Sequence, residues 1–474
     1  MVSGDVWCFV FRFWTSTKHE TLNTTRQALI LLSPGRPTWH NSVPLSIPPF
    51  GKPPMKRKSA VNMSRRNLLQ TGAGLALSGI VAPDAAVVAR SEAVPQPGAP
   101  KRAKQSVYEA LGVKHVINAT GTVTILGGSL MPPEVVAAWA DAARHFVNLI
   151  DLHDKVGARI AKLIGVEAAL VTTGAAGALL LGTAAVVTRG DSKRIQRLPD
   201  TTGMKNEVIL QKTHHSCYDN QLTDVGVKLV TVETPADVNR AVNERTALMF
   251  FMNVADADGR IQRAEWLALA RRHKLPTLID VAADVPPVEH LSAYNKMGFD
   301  LVAFSGGKAL LGPNDTGLLL GRKDLIATAK LNANPHCGTI GRMMKVSKED
   351  MIALLAAVER YVPTDHKAQW REWERRLTVI EAALKDVPTV ACERIVPPIA
   401  NHVPHLIVDW DPKRVRLSRE RLTKELAGND PSIQIGRVGG TGDKGVLISV
   451  LMLKEGEERI VAERLHALLK KAAE

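Results

Sequence analysis

The sequence of 474 residues predicts an α/β fold, with a mostly parallel seven-stranded sheet in one large domain and a smaller α+β domain after it. Short β-branched apolar runs alternate with segments of helical period from Val107 onward, which is the rhythm of a parallel sheet covered by helices. A chain that is 45% hydrophobic and 23% charged has a globular composition. Aromatic residues at 4% disfavour a multi-span membrane protein and a stacking platform for single-stranded nucleic acid.

Seven apolar runs are the predicted strands of the large sheet. They cover residues 169–172, 207–211, 228–232, 247–252, 277–280, 301–304 and 317–320. Residues 175–187 and 263–273 carry Leu, Ala and Arg at helical spacing and are predicted helices between those strands. The smaller domain is predicted from a long helical stretch at about 347–385, apolar runs at 405–408 and 446–451, and a final helix near 457–471.

The positive charge of the chain is concentrated before the predicted sheet. Residues 1–105 hold 14 Lys and Arg against 4 Asp and Glu, a net charge of +10, which leaves the rest of the chain at only +4. Within this leader, Arg65 and Arg66 precede a weakly apolar, Gly- and Ala-rich run at 71–82 and a Pro-rich linker. The order resembles a twin-arginine export signal near residues 63–90, which predicts export to the periplasm.

Two alternatives remain open for this leader. The arginine pair could instead begin a buried helix, and the protein would be cytoplasmic if the signal did not function. Residues 1–54 precede the signal and are rich in Trp and Phe without a lasting period, so we expect translation to start at Met55 or Met63. The predicted organisation is therefore an upstream extension at 1–54, signal and linker at 55–105, a large domain at 106–346 and a small domain at 347–474.

Charged residues follow two of the predicted strands. Asp280 ends one of them, and Lys308 follows another in the turn Ser305-Gly306-Gly307-Lys308. Taken alone, the aspartate could cap a helix and the lysine could be a solvated surface residue. A third strand runs into Thr173, Gly174 and Ala175 before an Ala- and Leu-rich helix, whose free N–H groups can bind a phosphate. Together these features predict a pyridoxal 5'-phosphate (PLP) site at the carboxyl edge of the sheet.

Five segments then resemble one family in the right order. They are residues 116–121, 127–135, 173–176, 280–287 and 305–308. They are similar to the selenocysteine synthase (L-seryl-tRNA selenium transferase) family of PLP enzymes, and within it to the D-glucosaminate-6-phosphate ammonia-lyase branch. The resemblance covers about residues 107–342 well and the C-terminal domain loosely. It implies the PLP-dependent transferase fold of type I and at least a homodimer, with each active site at a subunit boundary.

The resemblance also implies roles for single residues. Lys308 would form the Schiff base with PLP and Asp280 would pair with the ring nitrogen, so both are predicted catalytic residues. The predicted cofactor-binding residues are Thr173, Gly174, Ala175, His214, Asp280, Ser305 and Lys308. His214 could equally be a buried structural or helix-capping histidine. Candidate substrate-binding residues are Asn118, Thr120, Arg342, Lys345 and Arg437. Arg342 and Lys345 could also belong to a solvated basic turn.

The reaction that the resemblance favours is β-elimination, of the ammonia-lyase type, on a hydroxylated amino acid or amino-sugar acid. Selenium transfer onto seryl-tRNA and an inactive PLP-fold binding protein are the alternatives. A region rich in Leu and Ile at 447–453 stands where many type I enzymes place an arginine for the substrate carboxylate, and Arg437 is the obvious substitute. The near-neutral body disfavours a nucleic-acid partner, and four widely spaced cysteines disfavour a metal site.

Overall fold

The computed structural model describes residues 106–437 and 445–473. Twelve strands run within these residues: β1 Val116–Ala119, β2 Ala168–Thr173, β3 Glu207–Gln211, β4 Lys228–Val232, β5 Thr246–Met252, β6 Thr277–Asp280, β7 Leu301–Ser305, β8 Thr316–Gly321, β9 Ala391–Ile395, β10 His405–Asp409, β11 Ser432–Arg437 and β12 Val446–Ser449. The predicted extension, signal and linker at 1–105 lie outside the described residues.

Fourteen α-helices accompany the strands in the same part of the chain. They are α1 Val107–Ala110, α2 Pro133–Ala142, α3 Leu149–Ile164, α4 Gly174–Thr188, α5 Ser192–Arg197, α6 Asn220–Thr223, α7 Pro235–Ala241, α8 Arg263–His273, α9 His290–Met297, α10 Lys323–Asn332, α11 Lys348–Tyr361, α12 His366–Leu384, α13 Arg419–Gly428 and α14 Glu457–Ala473. None of the helices described is long and apolar enough to cross a membrane.

The large sheet has seven strands in the order β2-β8-β7-β6-β5-β3-β4. All of its pairs are parallel except those of β8, which runs antiparallel to β2 and β7. Strand β5 is buried at every residue, as expected for a strand with helices on both faces. Trp266 of α8 and Leu354 of α11 pack on one face, and Leu180 of α4 packs on the other. The predicted fold class and all seven predicted strands are confirmed.

The second sheet has five strands in the order β1-β11-β12-β10-β9. Strand β1 pairs in parallel with β11, so Asn118 lies opposite Gln434. The sequence placed residues 116–119 with the large domain, whereas the structure pairs them with the small sheet. The physical reason is that a four-residue apolar run carries no information about its partner strand. The predicted domain boundaries otherwise stay a prediction.

The long helical stretch predicted after about residue 347 is two helices. Helix α11 ends at Tyr361 and α12 begins at His366, with Pro363 between them. Proline lacks the N–H that a helix interior needs, and its ring clashes with the preceding turn. Asp365 then accepts a hydrogen bond from the Ala368 N–H and caps the new helix. The stretch predicted as helical is therefore helical, but it is divided into two helices.

Candidate active site

Asp280 and Lys308 lie at the carboxyl edge of the large sheet, on neighbouring strands. Asp280 is the last residue of β6 and pairs with Ala303 of β7. Lys308 follows β7 in a turn closed by a hydrogen bond from the Leu311 N–H to its carbonyl. Since β6 and β7 are adjacent and parallel, both residues are delivered to the same edge, where open α/β sheets bind ligands.

The charges of this pair are poorly compensated. Asp280 is 7% exposed, and the hydrogen bond described for its carboxylate comes from the Ala282 N–H at 2.9 Å. Burial raises the pKa of Asp280 to about 6, although the neighbouring Lys308 opposes the rise. Burial also lowers the pKa of the Lys308 amine, against the attraction of Asp280 and Asp284. The two side chains therefore lie close enough to influence each other's protonation.

Helix α4 begins at the same edge of the sheet, directly after β2 ends. Thr173 precedes the helix without capping it through its side chain, and the first turn carries no acidic residue. Gly174 has a φ of +65°, and a Cβ placed on it would meet no atom within 4 Å. Unpaired N–H groups and the positive end of the helix dipole attract a phosphate. Thr173, Gly174 and Ala175, the predicted phosphate cradle, lie at the start of this helix, and their binding of a phosphate stays a prediction.

Close backbone packing fixes the positions of the cradle and the lysine turn. A Cβ on Gly317 of β8 would lie 2.2 Å from the carbonyl carbon of Gly174, so only glycine allows strand and helix to approach. A Cβ on Gly307 would lie 2.4 Å from the Cα of Asn314. Ser305 ends β7 opposite Gly317, which places its hydroxyl group at the same edge. The close approach at Gly307 explains why the turn before Lys308 contains glycine.

The arrangement fits PLP. It offers a helix terminus with room for a phosphate, a buried carboxylate for the pyridine nitrogen and an amine with a lowered pKa for the aldehyde. The fit rests on Gly174, Asp280 and Lys308, which come from three different strand ends of one sheet. Within residues 106–437 and 445–473, no group of three His, Cys, Asp or Glu side chains could hold a metal ion.

A second buried carboxylate, Asp284, was not singled out from the sequence. It is 2% exposed and accepts hydrogen bonds from the Asn253 side chain and from the Tyr294 hydroxyl at 2.7 Å. Burial raises the pKa of Asp284, while the two donors and Lys308 counteract the rise. The one available signal was an aspartate four residues after Asp280 and directly before a valine and two prolines.

His214 lies inside the protein, with no exposed surface. Its Nδ1 accepts the Met252 N–H at 3.2 Å, and its Nε2 lies 3.1 Å from the Gln211 side-chain nitrogen. The ring also packs edge-on against Phe251, with centroids 4.4 Å apart. Burial lowers the pKa of His214 to about 4. These contacts are those of a buried structural histidine, the alternative that the sequence left open, and a cofactor-binding role stays a prediction.

The candidate substrate residues lie in two parts of the fold, at the paired ends of β1 and β11 and in the segment before α11. Asn118 and Thr120 bond to each other at the end of β1, with the Thr120 hydroxyl 2.7 Å from the Asn118 side-chain oxygen. Arg342 and Lys345 are exposed, and Met344 between them lies beside the cradle, its carbonyl 3.5 Å from the Thr173 hydroxyl. Arg437 is exposed at the end of β11. Their roles in substrate binding stay predictions.

An open cleft of about 620 Å³ lies at the opposite, amino-terminal edge of the same sheet. Arg189 and Lys274 line it and are the C-terminal caps of α4 and α8. Basic residues at helix C-termini are favoured by the helix dipole, so their presence has a structural explanation. Asp300 at this edge is bound by Arg322 at 3.0 Å and by the Thr277 N–H at 2.8 Å. Neither a buried amine nor an uncompensated carboxylate lines this cleft.

Comparisons with known proteins agree with this geometry. The model of a family described as L-seryl-tRNA selenium transferase matches residues 116–393. A D-glucosaminate-6-phosphate ammonia lyase of Salmonella typhimurium is 29% identical over 381 residues, which cover 78% of this chain and 99% of that protein. A 5'-C-glycyluridine monooxygenase-decarboxylase of a Streptomyces species is 32% identical, covering 69% and 83%. A solved structure of D-glucosaminate-6-phosphate ammonia-lyase superposes with a TM-score of 0.69 at 28% identity, over 78% of this chain and all of that one.

Proposed function

Because the chain belongs to the L-seryl-tRNA selenium transferase family of PLP enzymes, we propose that it eliminates water and then ammonia from a hydroxylated amino acid or amino-sugar acid. The observation that carries this proposal is the burial of Asp280 beside Lys308, at the sheet edge where α4 begins. The ammonia lyase relative, matched over 99% of its length, supports an amino-sugar acid as the substrate.

The residues of this chain have separate tasks in such a reaction. PLP, when bound, supplies an electron sink for the pair released from the α-carbon of the substrate. Asp280 would hold the proton on the pyridine nitrogen, and the backbone at the start of α4 would bind the phosphate. Lys308 is the general base, because burial lowers the pKa of its amine and so favours the neutral, proton-accepting form.

The proton and electron balance defines the products. The Lys308 Nζ takes the proton from the α-carbon, and the electron pair of that C–H bond forms the new double bond to the β-carbon. The C–O bond at the β-carbon breaks as the Lys308 ammonium gives that proton to the oxygen, so the hydroxyl group leaves as water. The resulting enamine gains a proton at the β-carbon and loses one from its nitrogen. A second water then replaces the nitrogen of this imine, so ammonia leaves and a 2-oxo acid remains. One water is released and one is consumed, and no oxidant or reductant is needed.

The proposal is tested by measuring ammonia and 2-oxo acid from the purified, PLP-loaded protein. The substrates are D-glucosaminate 6-phosphate, unphosphorylated amino-sugar acids and β-hydroxy amino acids. We expect release from at least one amino-sugar acid, with the Lys308→Ala variant as the inactive control. Turnover of none of these compounds by protein that binds PLP would contradict the proposal.

We further propose that Arg342 and Lys345 bind an anionic group of the substrate. Support comes from the position of their segment, since Met344 contacts Thr173 at the phosphate cradle. Both side chains are exposed, so they are available to a ligand approaching the sheet edge. A phosphorylated amino-sugar acid carries the complementary charge.

A homodimer is proposed on the basis of exposed apolar side chains between residues 125 and 150. They belong to Ile125, Leu130, Val136, Trp139, Phe146, Val147 and Ile150. A cluster of large apolar side chains within one short stretch is typical of a protein interface. Sedimentation of the full chain should give a dimer, and Phe146→Asp should weaken it. The control variant Val396→Asp changes an exposed residue directly after β9 of the small sheet and should leave the dimer intact. A monomeric wild type would contradict the proposal.

The localisation of the enzyme is also a proposal. The arginine pair Arg65 and Arg66, with the apolar run after it, supports twin-arginine export of the folded, PLP-loaded protein to the periplasm. Cell fractionation should find the wild type in the periplasm and the variant with both arginines changed to lysine in the cytoplasm. Equal distribution of the two proteins would rule out export through this pair.

A further inference from the structure

The loop between β9 and β10 reaches the sheet edge that carries Asp280. The Asn401 N–H of this loop donates to the carbonyl oxygen of Ala283 at 2.7 Å. Ala283 follows Ala282, whose own N–H donates to the Asp280 carboxylate at 2.9 Å. Ala282 and Ala283 are both partly exposed, so this backbone lies at an accessible part of the edge. Asn401 therefore contacts the same short segment that binds the Asp280 carboxylate.

The carbonyl group of Asn401 is joined to the small sheet. Its oxygen accepts a hydrogen bond from Nε2 of His405, on β10, at 3.2 Å. His405 lies opposite Ser449 of β12, and a Cβ placed on Gly121 would lie 3.4 Å from the Ser449 hydroxyl oxygen. Gly121 belongs to the turn after β1, which also holds candidate substrate residues. A chain of close contacts thus joins Asn401 both to the loop after β6 and to the turn after β1.

The backbone of the β9–β10 loop adopts a conformation that most residues avoid. Ala400 and Asn401 have φ angles of +57° and +47°, both in the left-handed region. Asparagine tolerates this region better than most residues, whereas alanine does not. Two such residues in succession persist only where the surrounding contacts enforce the conformation, which is typical of functional loops. The hydrogen bonds with Ala283 and His405 provide those contacts.

The side-chain amide of Asn401 is available to a ligand. Among the residues that the structure describes, none forms a hydrogen bond with this amide, although the backbone N–H and carbonyl of Asn401 are both bonded. The side chain is half-buried. An amide offers a donor and an acceptor together, which matches a hydroxyl group, whereas a carboxylate only accepts. The chemistry of this side chain therefore favours a hydroxylated ligand.

Resting on the function proposed above, we propose that Asn401 is a specificity-determining residue whose amide binds a hydroxyl group in the sugar chain of an amino-sugar acid. Such a substrate carries hydroxyl groups beyond its β-carbon, whereas serine has no carbon there. The hydrogen bond is therefore made with the longer substrate and not with the shorter one. It orients the chain without taking part in the proton transfers at Lys308.

The test compares two acids that carry a hydroxyl group in place of the amine and so cannot react with the cofactor. D-gluconate has the full hydroxylated chain, and D-glycerate ends at the β-carbon. Their dissociation constants for the PLP-loaded full chain are measured by calorimetry. Asn401→Gly keeps the left-handed backbone and removes the amide, so D-gluconate should bind about fivefold more weakly, as expected for one lost hydrogen bond. The affinity for D-glycerate should stay unchanged.

Ala400→Gly is the matched control. It places glycine at the neighbouring left-handed residue and leaves the Asn401 amide in place, so the affinities for both acids should stay unchanged. Should Asn401→Gly fail to fold, Asn401→Asp decides, because aspartate also tolerates the left-handed region but has no N–H donor. The charge of the aspartate acts on the carboxylates of both acids, so the ratio of the two affinities isolates the lost donor. That ratio should change against D-gluconate.

The proposal is overturned if the wild type binds D-gluconate no more tightly than D-glycerate, or if a folded Asn401 variant leaves the ratio of the two affinities unchanged. Because neither acid has an amine to release, binding and turnover are separate measurements. Ammonia release with an unchanged ratio would contradict the role of Asn401 alone. A selective loss of D-gluconate affinity in a protein that releases no ammonia would contradict the proposed ammonia-lyase activity alone.

Discussion

Each edge of the large sheet carries an aspartate near a basic residue, but the two aspartates differ in how their charges are paired. At the amino edge, Asp300 is bound by Arg322 and by the backbone and hydroxyl of Thr277, so its charge is fully paired. At the carboxyl edge, Asp280 is buried with one backbone donor and an amine whose own pKa is lowered. The difference teaches that the chain stabilises its fold at one edge and keeps unpaired charge for a ligand at the other.

The largest expected effect comes from replacing Lys308, with Lys274 at the other edge as the control. Lys308→Ala should lower kcat by about a thousandfold or more, because the general base is removed. It should also abolish the visible absorbance of bound PLP. Lys274→Ala, at the amino edge, should leave both quantities unchanged. Steady-state kinetics and absorbance spectra of the two variants provide the measurement, and equal losses in both would break the contrast between the edges.

The two aspartates should respond with opposite signs. The pKa of Asp280 is raised to about 6, so its contribution to stability is present below its unfolded pKa and is lost as pH rises through about 6. Asp280→Asn should therefore increase the free energy of unfolding of the PLP-free protein by about 2 kcal/mol at about pH 8 and by little at about pH 4. It should also lose PLP-dependent activity.

Asp300→Asn should instead decrease the free energy of unfolding by about 2 kcal/mol, since Arg322 and Thr277 lose a charged acceptor. Denaturant unfolding of both variants at two pH values tests the pair. A destabilised Asp280→Asn protein at about pH 8 would show that the buried carboxylate is a structural residue after all.

Two glycines at opposite ends of β8 sharpen the comparison further. Gly317→Ala would push against Gly174, whose carbonyl oxygen lies 2.3 Å from the added Cβ, and should weaken PLP binding by about tenfold. Gly321→Ala would push against the Asp300 carbonyl at 1.9 Å and has a φ of +142°, so it should reduce stability instead. Equilibrium PLP titration of the folded variants distinguishes the two outcomes.

The smallest expected effect concerns exposed cations. Arg342→Gln and Lys345→Gln should each raise KM for a phosphorylated substrate severalfold, about 1 kcal/mol, with little change in kcat, because exposed charges interact weakly. Arg271→Gln at the amino edge is the control and should leave KM unchanged. An unchanged KM in both test variants would remove this segment from the substrate site.

The sequence was most informative where burial and function coincide. A fully buried parallel strand is a short apolar run, so a charged residue at its end stands out, as Asp280 and Lys308 do. The same logic located the strand before Gly174. The pairing of β1 with the small sheet was harder to predict, because β1 has only four residues and its partner strand β11 is distant in sequence.

Side-chain networks between loops could not be inferred in this way. Asn253, Asp284 and Tyr294 meet only because β5, β6 and α9 are packed together, and no local period marks any of them. For His214, the sequence located the residue but not the direction of its side chain. Its place in the resemblance indicated the cofactor, whereas its side chain turns toward Phe251 and Gln211 in the interior. Sequence order locates a backbone position, but the direction of a side chain depends on its neighbours.

The pairing of β1 with β11 has a consequence for how the protein is made. The first of the described strands to leave the ribosome must wait for one of the last of them, because Val116 lies opposite Ser432. The five-stranded sheet therefore closes only after nearly all of the polypeptide has been synthesised, which is slow for contacts so distant along the chain. Truncation that removes either β1 or β11 would take a strand from the same sheet, so both shortened forms should be degraded.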